Sequence, residues 1–417
     1  METAHSECSA ASERKARICM PTSRLFSRAA ARAALYEAQD VIAQIDDVDL
    51  IQLEPEAGQP WREAWQRRLI WQDPTGKVAL MNPGIKPVRL KRDYEMFVIV
   101  CQQWCDLLYA NAIQGWQDRC RLKVCWLDEI WAAQLGRSRR WLHLLRQFDY
   151  VFVGLRATAQ PLSAAIGQAC TYLPPAVDMV RFSPYPSPPH RGIDVLSLGR
   201  RWPGVHNSLR EMARASGTFY VHDTVSDAGD MRLQDFSQHR DLFANMAKRS
   251  RFFMVGPAKM GIPEETGGQL EIGYRFFEGA SAGAVLLGQA PDCPSFHDLF
   301  GWPESVVGLQ PDGSDTEEVV RALLNDPERR AVISRRNALE ALRRHDWMYR
   351  WRQVMEAVGL QPGPACLQRA QHLHQLEVAA RGASTVGQED SFPAQSSVAS
   401  PWSQSINPAV VLHPSSP

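Results

Sequence analysis

The chain has 417 residues, of which 45% are hydrophobic, so two ordinary domains can each bury a core. Its 46 basic and 46 acidic residues balance, which argues against a nucleic-acid partner recruited by overall charge. The nine cysteines form no Cys-x-x-Cys pair, a pattern typical of reduced thiols rather than of a disulfide framework or a zinc site. No apolar run reaches the length of a transmembrane segment, and no signal peptide is evident. We therefore expect a cytoplasmic protein, at most peripheral to a membrane.

Strands and helices are predicted to alternate along the first half of the chain. Residues 1–14 are polar and predicted to be disordered. A first domain is predicted over residues 15–186, and residues 56–94 interrupt its rhythm. Within that insertion, the turn sequence Asp-Pro-Thr-Gly between two apolar runs predicts a hairpin over residues 69–80. The remaining pattern predicts strands at 16–20, 48–53, 96–101, 122–127 and 150–154, with helices after Ser23 and at 104–116, 135–147 and 158–167.

A proline-dense segment, residues 184–189, reads as a linker to a second domain over residues 187–344. A helix at 345–361 then follows, and the Ser- and Pro-rich segment 362–417 is predicted to be a disordered tail. The second domain is predicted to hold strands at 193–198, 218–221, 252–255 and 305–309, with helices at 205–214, 239–249, 315–325 and 328–343. This alternation predicts an α/β fold with two doubly wound parallel sheets that face a cleft.

Ligands of such sheets bind beyond the carboxyl ends of the strands. In the first domain, those ends carry Asp128 and Glu129. In the second domain they carry Gly199, Arg200 and Arg201, then His222 and Asp223, and then the segment from Gly256 to Lys259. These residues are therefore the candidates for ligand binding in the cleft between the two domains.

The stretch Gly267–Gly288 is the most informative part of the second domain. It reads as a glycine-rich loop, an amphipathic helix and a short buried strand. We expect the loop, with Gly268 in it, to leave backbone N–H groups free to bind an anion near a helix start. Arg275 and Glu278 are three residues apart, so they share one face of that helix. A cation, a carboxylate and a glycine loop suit a nucleotide-linked ligand.

Three segments together resemble a known family. Tyr172-Leu-Pro-Pro-Ala-Val-Asp178 with Phe182-Ser-Pro184 is similar to the segment that ends the N-terminal domain of GT-B glycosyltransferases. Arg275-Phe-Phe-Glu-Gly-Ala-Ser-Ala-Gly-Ala-Val resembles the donor motif of the group 1 branch that includes the spore-maturation-protein type. His345-Asp-Trp-Met-Tyr-Arg350 resembles the entry to the last helix of that branch, which crosses back to the first domain. The resemblance covers roughly residues 13–360.

The resemblance implies sugar transfer from a nucleotide diphosphate sugar, commonly with retention and with no bound metal or other cofactor. Glu278 matches the motif glutamate that holds the ribose hydroxyls of the nucleotide. Arg275 and Lys259 would face the diphosphate, together with Arg200, Arg201 and the backbone at Gly256 and Gly268. Fixed cations at the leaving group would make this electrostatic catalysis.

The chain departs from the fuller Glu-x7-Glu motif, because Leu270 stands eight residues before Glu278 and Glu271 is one residue closer. Glu271 either takes the sugar-binding role or leaves it unfilled. In the first domain, Asp128 or Glu129 could orient or deprotonate an acceptor hydroxyl. Aromatic side chains of the insertion, Trp61, Trp65 and Trp71, suit either packing within the hairpin or stacking on a sugar acceptor.

Three hypotheses follow from the sequence. The leading one is a glycosyltransferase of carbohydrate biosynthesis, whose acceptor is a glycan, a lipid, a protein or a small molecule. The second is a catalytically silent protein of the same fold that binds a sugar or a partner. The third is an epimerase or a phosphorylase of this architecture, although no lysine stands out as a pyridoxal phosphate site.

Overall fold

Two parallel sheets organise the chain. The computed structural model describes residues 16–383 except for 74, 137, 139 and 225–230. The first sheet has the strand order β2-β1-β4-β6-β7-β8, and the second has the order β10-β9-β11-β12-β13. A two-stranded parallel sheet, β3-β5, lies apart from both. The strands are β1 Ile18–Thr22, β2 Val48–Gln52, β3 Val88–Arg89, β4 Tyr94–Cys101, β5 Ile113–Gln114, β6 Cys120–Leu127, β7 Tyr150–Val153, β8 Cys170–Tyr172, β9 Ile193–Ser197, β10 Tyr220–His222, β11 Ser250–Val255, β12 Val285–Gly288 and β13 Val307–Gly308.

Helices connect and cover these strands. The α-helices are α1 Ala33–Ile45, α2 Gln59–Ile70, α3 Trp116–Arg119, α4 Leu142–Leu145, α5 Arg156–Ile166, α6 Met179–Phe182, α7 Pro203–Ser216, α8 Phe236–Lys248, α9 Pro263–Thr266, α10 Tyr274–Ser281, α11 Pro294–Phe300, α12 Thr316–Leu324, α13 Pro327–Arg344, α14 Trp347–Ala357 and α15 Pro364–Gly382. Short 3-10 helices occur at Ala30–Arg32, Val78–Leu80, Trp104–Ala112 and Ala132–Gln134. The predicted architecture of two doubly wound α/β units is confirmed.

The central strands of the first sheet explain why it forms. β4 is almost continuously apolar, as expected for a parallel strand that is buried on both faces. It pairs in parallel with β6 from Tyr94↔Cys120 to Cys101↔Leu127. This register brings the carboxyl end of β6 to the edge of the sheet, so that Asp128 and Glu129 follow directly in the cleft.

Apolar packing is continuous across the two units. One cluster of buried side chains joins β1 and α1 of the first unit to β11, α8 and α10 of the second. Trp347 of α14 lies inside it, with its ring centroid 5.6 Å from that of Trp126 and 6.4 Å from that of Tyr274. Helix α14 packs against α1, which confirms the predicted helix that crosses back to the first unit.

The C-terminal segment was predicted wrongly. Residues from 362 onward were expected to be disordered, but residues 364–382 form the helix α15, which packs against α13. Arg369 on α15 donates to Asp178 at 2.6 Å and to Asp346 at 2.7 Å. Leu373, Leu376 and Ala380 are buried on this helix, although its apolar residues follow no clear helical stripe in the sequence. The predicted disorder at 1–14 and at 384–417 lies outside the described residues.

The predicted hairpin at 69–80 is also wrong. Residues 59–70 form α2, and Val78–Leu80 is a single 3-10 turn. Gln66 holds the segment of residues 78–81 beside α2, because its side-chain amide donates to the carbonyls of Val78 at 2.7 Å and of Met81 at 2.8 Å. Trp61, Trp65 and Trp71 are exposed, so the alternative in which they pack within a hairpin is wrong as well.

Two predicted helices of the first unit are shorter or tighter than expected. The segment predicted as a helix at 104–116 is a 3-10 helix, Trp104–Ala112, followed by the short strand β5. Asp106 lies at its start and accepts a bidentate pair of bonds from Arg32, both at 2.8 Å. Of the helix predicted at 135–147, α4 retains four residues.

Candidate functional site

Glu278 lies between two arginines at the start of the second half of α10. Its Oε2 accepts from Arg275 Nη1 at 2.5 Å, and its Oε1 accepts from Arg240 Nη1 of α8. Glu278 is 1% exposed. Burial alone would raise the pKa of Glu278, but the two guanidinium charges outweigh it and hold the pKa below its ordinary value. The carboxylate is therefore ionised and fully paired.

Arg275 presents its guanidinium to the end of β9. Its Nε donates to the carbonyl of Leu198 at 3.0 Å, and its charge lies over the ring of Phe243, 4.6 Å from the centroid. A Cβ on Gly199 would lie 3.8 Å from Arg275 Nη2, and the φ of +88° at Gly199 suits glycine. The Arg275 side chain remains 36% exposed. It is thus anchored on one side and open on the other.

Arg240 extends these contacts to Glu37 of the first unit. We call Glu37, Arg240, Glu278 and Arg275 the charge chain. Arg240 is 3% exposed and donates to both carboxylate oxygens of Glu37 on α1, at 2.7 Å and 3.1 Å. Glu37 is also buried, and it accepts from the backbone of Asp178 at 2.9 Å and from Trp347 Nε1 at 3.2 Å. The two helices that carry Glu37 and Glu278 belong to different units, so Arg240 couples them.

Arg200 and Arg201, the cations that follow β9, differ in their surroundings. Arg201 is paired with Asp223, with 2.8 Å between Nη2 and Oδ1. The same carboxylate accepts from the backbone N–H of Gly199 at 2.5 Å. Arg200 is exposed beside them. Residues 199–201 and Asp223, which were predicted at the ends of two strands, therefore lie together. The ion pair with Asp223 already neutralises the charge of Arg201.

A cleft of about 340 Å³ brings Glu129 of the first unit opposite Lys259 of the second. The Lys259 ammonium lies 3.6 Å from Glu129 and 2.5 Å from Glu265. The backbone of Lys259 has a φ of +50°, which is uncommon for a residue with a Cβ. The same cleft is lined by Trp71, Trp104 and Trp141. Charged groups and aromatic rings from both units therefore share one space.

Asp128 faces the second unit rather than solvent. It is 5% exposed, and its Oδ1 accepts from the Tyr274 hydroxyl at 2.7 Å. Burial raises the pKa of Asp128 to about 7, against the opposing effect of the bond from Tyr274. Tyr274 begins α10, four residues before Glu278, so this bond joins the end of β6 in the first unit to the helix that carries Glu278.

Glu271 binds the first unit. Its Oε1 accepts from the backbone N–H of Ala157, in the first turn of α5, at 2.8 Å, and from Gln269 Nε2 at 2.8 Å. Glu271 is 2% exposed. The side chain thus satisfies a free donor at the N-terminus of a helix, as capping carboxylates do.

The predicted anion loop does not have the expected free amides. The N–H of Gly268 donates to Thr266 Oγ1 at 3.2 Å, and that of Gly267 donates to the Pro263 carbonyl at 2.8 Å. Gln269 then contacts the first unit through its bonds with Ala132 and Thr158. The loop is an interdomain contact, and this part of the prediction is wrong because the glycines serve a positive-φ turn. At Gly256 the constraint is space, since a Cβ there would lie 2.5 Å from Met260 Sδ.

Glu37, Arg240 and Tyr274 of this site were not predicted from the sequence. Glu37 and Arg240 are 203 residues apart, so no local spacing connects them. One signal was available for Glu37: it is a carboxylate within the otherwise largely apolar run from Ala33 to Ala38. A charged residue in a buried helical stripe needs a partner, but the sequence does not say which.

The family comparison matches this second unit. Residues 191–356, from the approach to β9 through α14, match a family model described as "Glycosyl transferase-like". For these residues, the match confirms the predicted resemblance to glycosyltransferases. The chain matches no curated protein.

Several solved structures are similar to the chain. HepE of Anabaena, in complex with UDP-glucose, is 14% identical with a TM-score of 0.48, over 82% of this chain and 99% of that chain. An α-glucosyltransferase in complex with UDP and a DNA 13-mer is 12% identical with a TM-score of 0.49, over 82% and 99%. MnaA of S. aureus, in complex with UDP, is 11% identical with a TM-score of 0.41, over 82% and 97%.

Residues 16–383, apart from the gaps noted above, contain no helix that is long and apolar enough to cross a bilayer. Within the same ranges, no three His, Cys, Asp or Glu side chains are grouped as metal ligands.

The raised pKa of Asp128 predicts a pH-dependent contribution to stability. The pKa is about 7 in the folded chain and about 3.9 in an unfolded one. The folded state therefore binds the proton more tightly, and the stability from protonated Asp128 is present below pH ~4 and lost as the pH rises to ~7. Asp128→Asn stays neutral, so its free energy of unfolding relative to the native chain should rise by on the order of 4 kcal/mol between pH 4 and pH 8.

Urea unfolding across that pH range measures this difference. Asp118→Asn, at an exposed carboxylate of α3, is the control and should show little change with pH. A constant difference between Asp128→Asn and the native chain would contradict the prediction.

The charge chain predicts that Glu37 matters more than a surface glutamate. Glu37→Gln keeps the shape but leaves Arg240 with one carboxylate, so we expect unfolding free energy to fall by on the order of 3 kcal/mol. Glu54→Gln is the matched control, since Glu54 pairs with Lys86 where both side chains are more than half exposed. Its cost should be below ~1 kcal/mol in the same urea titration. Equal costs for the two variants would show that Arg240 does not depend on Glu37.

Proposed function

We propose that the chain transfers a sugar from a nucleotide diphosphate sugar to an acceptor bound in the cleft. The observation that carries this proposal is the Arg275–Glu278 pair at the carboxyl edge of the second sheet, inside the segment that matches the family model. The Nε of Arg275 is held by the Leu198 carbonyl, while its side chain remains partly exposed. A guanidinium that is anchored in this way suits a diphosphate. Solved structures with which the chain shares similarity hold UDP or UDP-glucose.

In this proposal the diphosphate lies against Arg275, with Arg200 and Lys259 as further cations. The bond between the sugar carbon and the diphosphate oxygen breaks, and the diphosphate keeps the electron pair. The acceptor oxygen forms the new glycosidic bond, and its proton passes to the departing diphosphate. Cations held in place before the reaction stabilise the charge that develops on the leaving group. Retention and independence from a bound metal follow the resemblance of the donor motif.

Glu278 is proposed to bind the ribose hydroxyls by exchanging one of its present bonds. Its bond to Arg240 is buried on both sides, whereas Arg275 is partly exposed. The exchange therefore involves the Arg275 bond, which frees that guanidinium for the diphosphate. Arg240 would keep the other carboxylate oxygen in place throughout.

The acceptor side is proposed to use Glu129, which lines the cleft opposite Lys259. Glu129 can accept a hydrogen bond from an acceptor hydroxyl and orient it. Asp128 is a positioning residue in this proposal, because its carboxyl group binds Tyr274 of α10. Glu271 likewise holds the units together through α5.

The ribose contact predicts a preference that depends on Glu278. With UDP, GDP and ADP, each compared with its 2′-deoxy form, the native chain should bind the preferred ribonucleotide roughly tenfold better than the deoxy form. Glu278→Gln should lose this preference and most nucleotide release from the matching sugar donor. Calorimetric titration measures the affinities, and melting curves verify the fold.

Glu317→Gln is the control, because Glu317 forms an exposed i, i+4 pair with Arg321. It should keep both the preference and the turnover. If Glu278→Gln folds and still distinguishes ribose from deoxyribose, the ribose assignment is wrong. If the native chain binds nucleotide but releases none from any sugar donor, the protein is a silent binder.

The role of Glu271 can be separated in the same assay. Glu271→Ala removes the α5 contact, so the free energy of unfolding should fall by about 1 kcal/mol. Nucleotide release from the donor should be little changed, as it should be for the exposed control Glu264→Ala. A fall in release of roughly 100-fold in a folded Glu271→Ala variant would instead show a catalytic role.

A further inference from the structure

The outward face of α2 is aromatic. Gln59, Gln66 and Ile70 are buried against the first unit. The opposite side of the helix carries Trp61, 69% exposed, and Trp65, 47% exposed. Their rings stack with centroids 6.4 Å apart and planes 16° apart. The solvent side of a surface helix is ordinarily polar, so two large exposed rings at its centre need an explanation.

The apolar surface continues beyond the helix. Trp71 is 47% exposed, and Leu80 and Met81 are 55% and 50% exposed. Gln66 holds this segment beside α2 through its bonds to the Val78 and Met81 carbonyls. We call the five residues Trp61, Trp65, Trp71, Leu80 and Met81 the tryptophan patch.

Positive charge lies beside the tryptophans on α2. Arg67 and Arg68 lie exposed in the last turn of α2 and form no ion pair within the part of the chain that the structure describes. The acidic residue of the helix, Glu63, points inward and accepts from Gln59 at 2.6 Å and from Tyr109 at 3.2 Å. The exposed surface of α2 is therefore basic, although the whole chain is neutral.

The tryptophan patch reaches the cleft. Trp71 and Arg67 line the cleft together with Glu129 and Lys259. Whatever binds the patch is thus held at the opening through which an acceptor would enter.

We propose that the tryptophan patch docks the protein on an anionic lipid surface. Tryptophan suits the boundary between lipid and water because its ring is apolar and its N–H is polar. Arginines at the rim of the patch add attraction to acidic headgroups. A second copy of the chain fits less well, since a symmetric contact through this face would bring Arg67 and Arg68 of both copies together. The docking stands apart from the proposed sugar transfer, and if both hold, the cleft opens at the membrane.

The experiment is vesicle flotation with the full chain. Vesicles of phosphatidylcholine with about 30% phosphatidylglycerol should carry the protein upward, and binding should weaken when salt rises from about 50 mM to about 500 mM. Trp61→Ala/Trp65→Ala should lower the partition coefficient roughly tenfold or more. Arg68→Glu should lower it on these vesicles and have little effect with phosphatidylcholine alone.

The matched control is Phe219→Ala/Leu242→Ala, which removes two apolar side chains of the second unit that are 54% and 59% exposed. It should float like the native chain, and melting curves should be alike for all variants. Failure of the native chain to float, or equal flotation of the tryptophan variant, would overturn the proposal. So would a dimer in light scattering that the tryptophan variant abolishes, because a second copy would then be the occupant. Nucleotide release in solution is unaffected by these changes, so the donor-site proposal is tested separately.

Discussion

The structure depends on the charge chain, which runs from Glu37 through Arg240 to Glu278 and Arg275. Two carboxylates and a guanidinium are taken out of water there, which is tolerable only if each finds partners. Arg240 satisfies both carboxylates at once, and it lies over the ring of Phe182 as well, 4.7 Å from the centroid. Through Arg240, Glu278 is therefore linked to Glu37, a residue of the first unit that is distant in sequence.

Glu37 of the charge chain has partners from several other elements. Trp347 and the backbone of Asp178 both donate to Glu37, so the crossing helix and the end of the first unit converge on one carboxylate. Asp178 in turn caps α6 and accepts from Arg369. The segment of residues 172–184, whose motif pointed to the fold, is thus the place where the two units and the C-terminal helices meet.

Much of the fold was predictable because parallel strands are apolar runs with a clear length. β4, β6 and β7 and the helices α13 and α14 were predicted within a few residues. The insertion was mispredicted because a turn sequence at residues 73–76 suggested a hairpin, whereas tertiary bonds from Gln66 stabilise a helix and a 3-10 turn. α15 was missed because its ion pairs with Asp178 and Asp346 are invisible in a sequence that is compositionally like a linker.

The candidate site was predictable in part for a similar reason. Arg275 and Glu278 share a helix, so their contact follows from spacing. Asp128 and Tyr274 lie 146 residues apart, and the partner that sets the environment of this carboxyl group could not be read from either segment. The glycine loop was mispredicted because glycine suits both a turn with positive φ and an anion-binding loop. The structure shows only the turn with positive φ.

The return of the chain through α14 and α15 has a consequence for cooperativity. The linker at residues 184–189 is one connection between the units, and the C-terminal helices form a second one that is held by side chains. Arg17 and Asp46 of the first unit bind the backbone of Gln361 and Gly363, while α15 packs on α13 of the second. Neither unit can unfold without exposing the apolar surface that the other and these helices cover. The two units should therefore unfold in a single transition, as one thermodynamic domain rather than two.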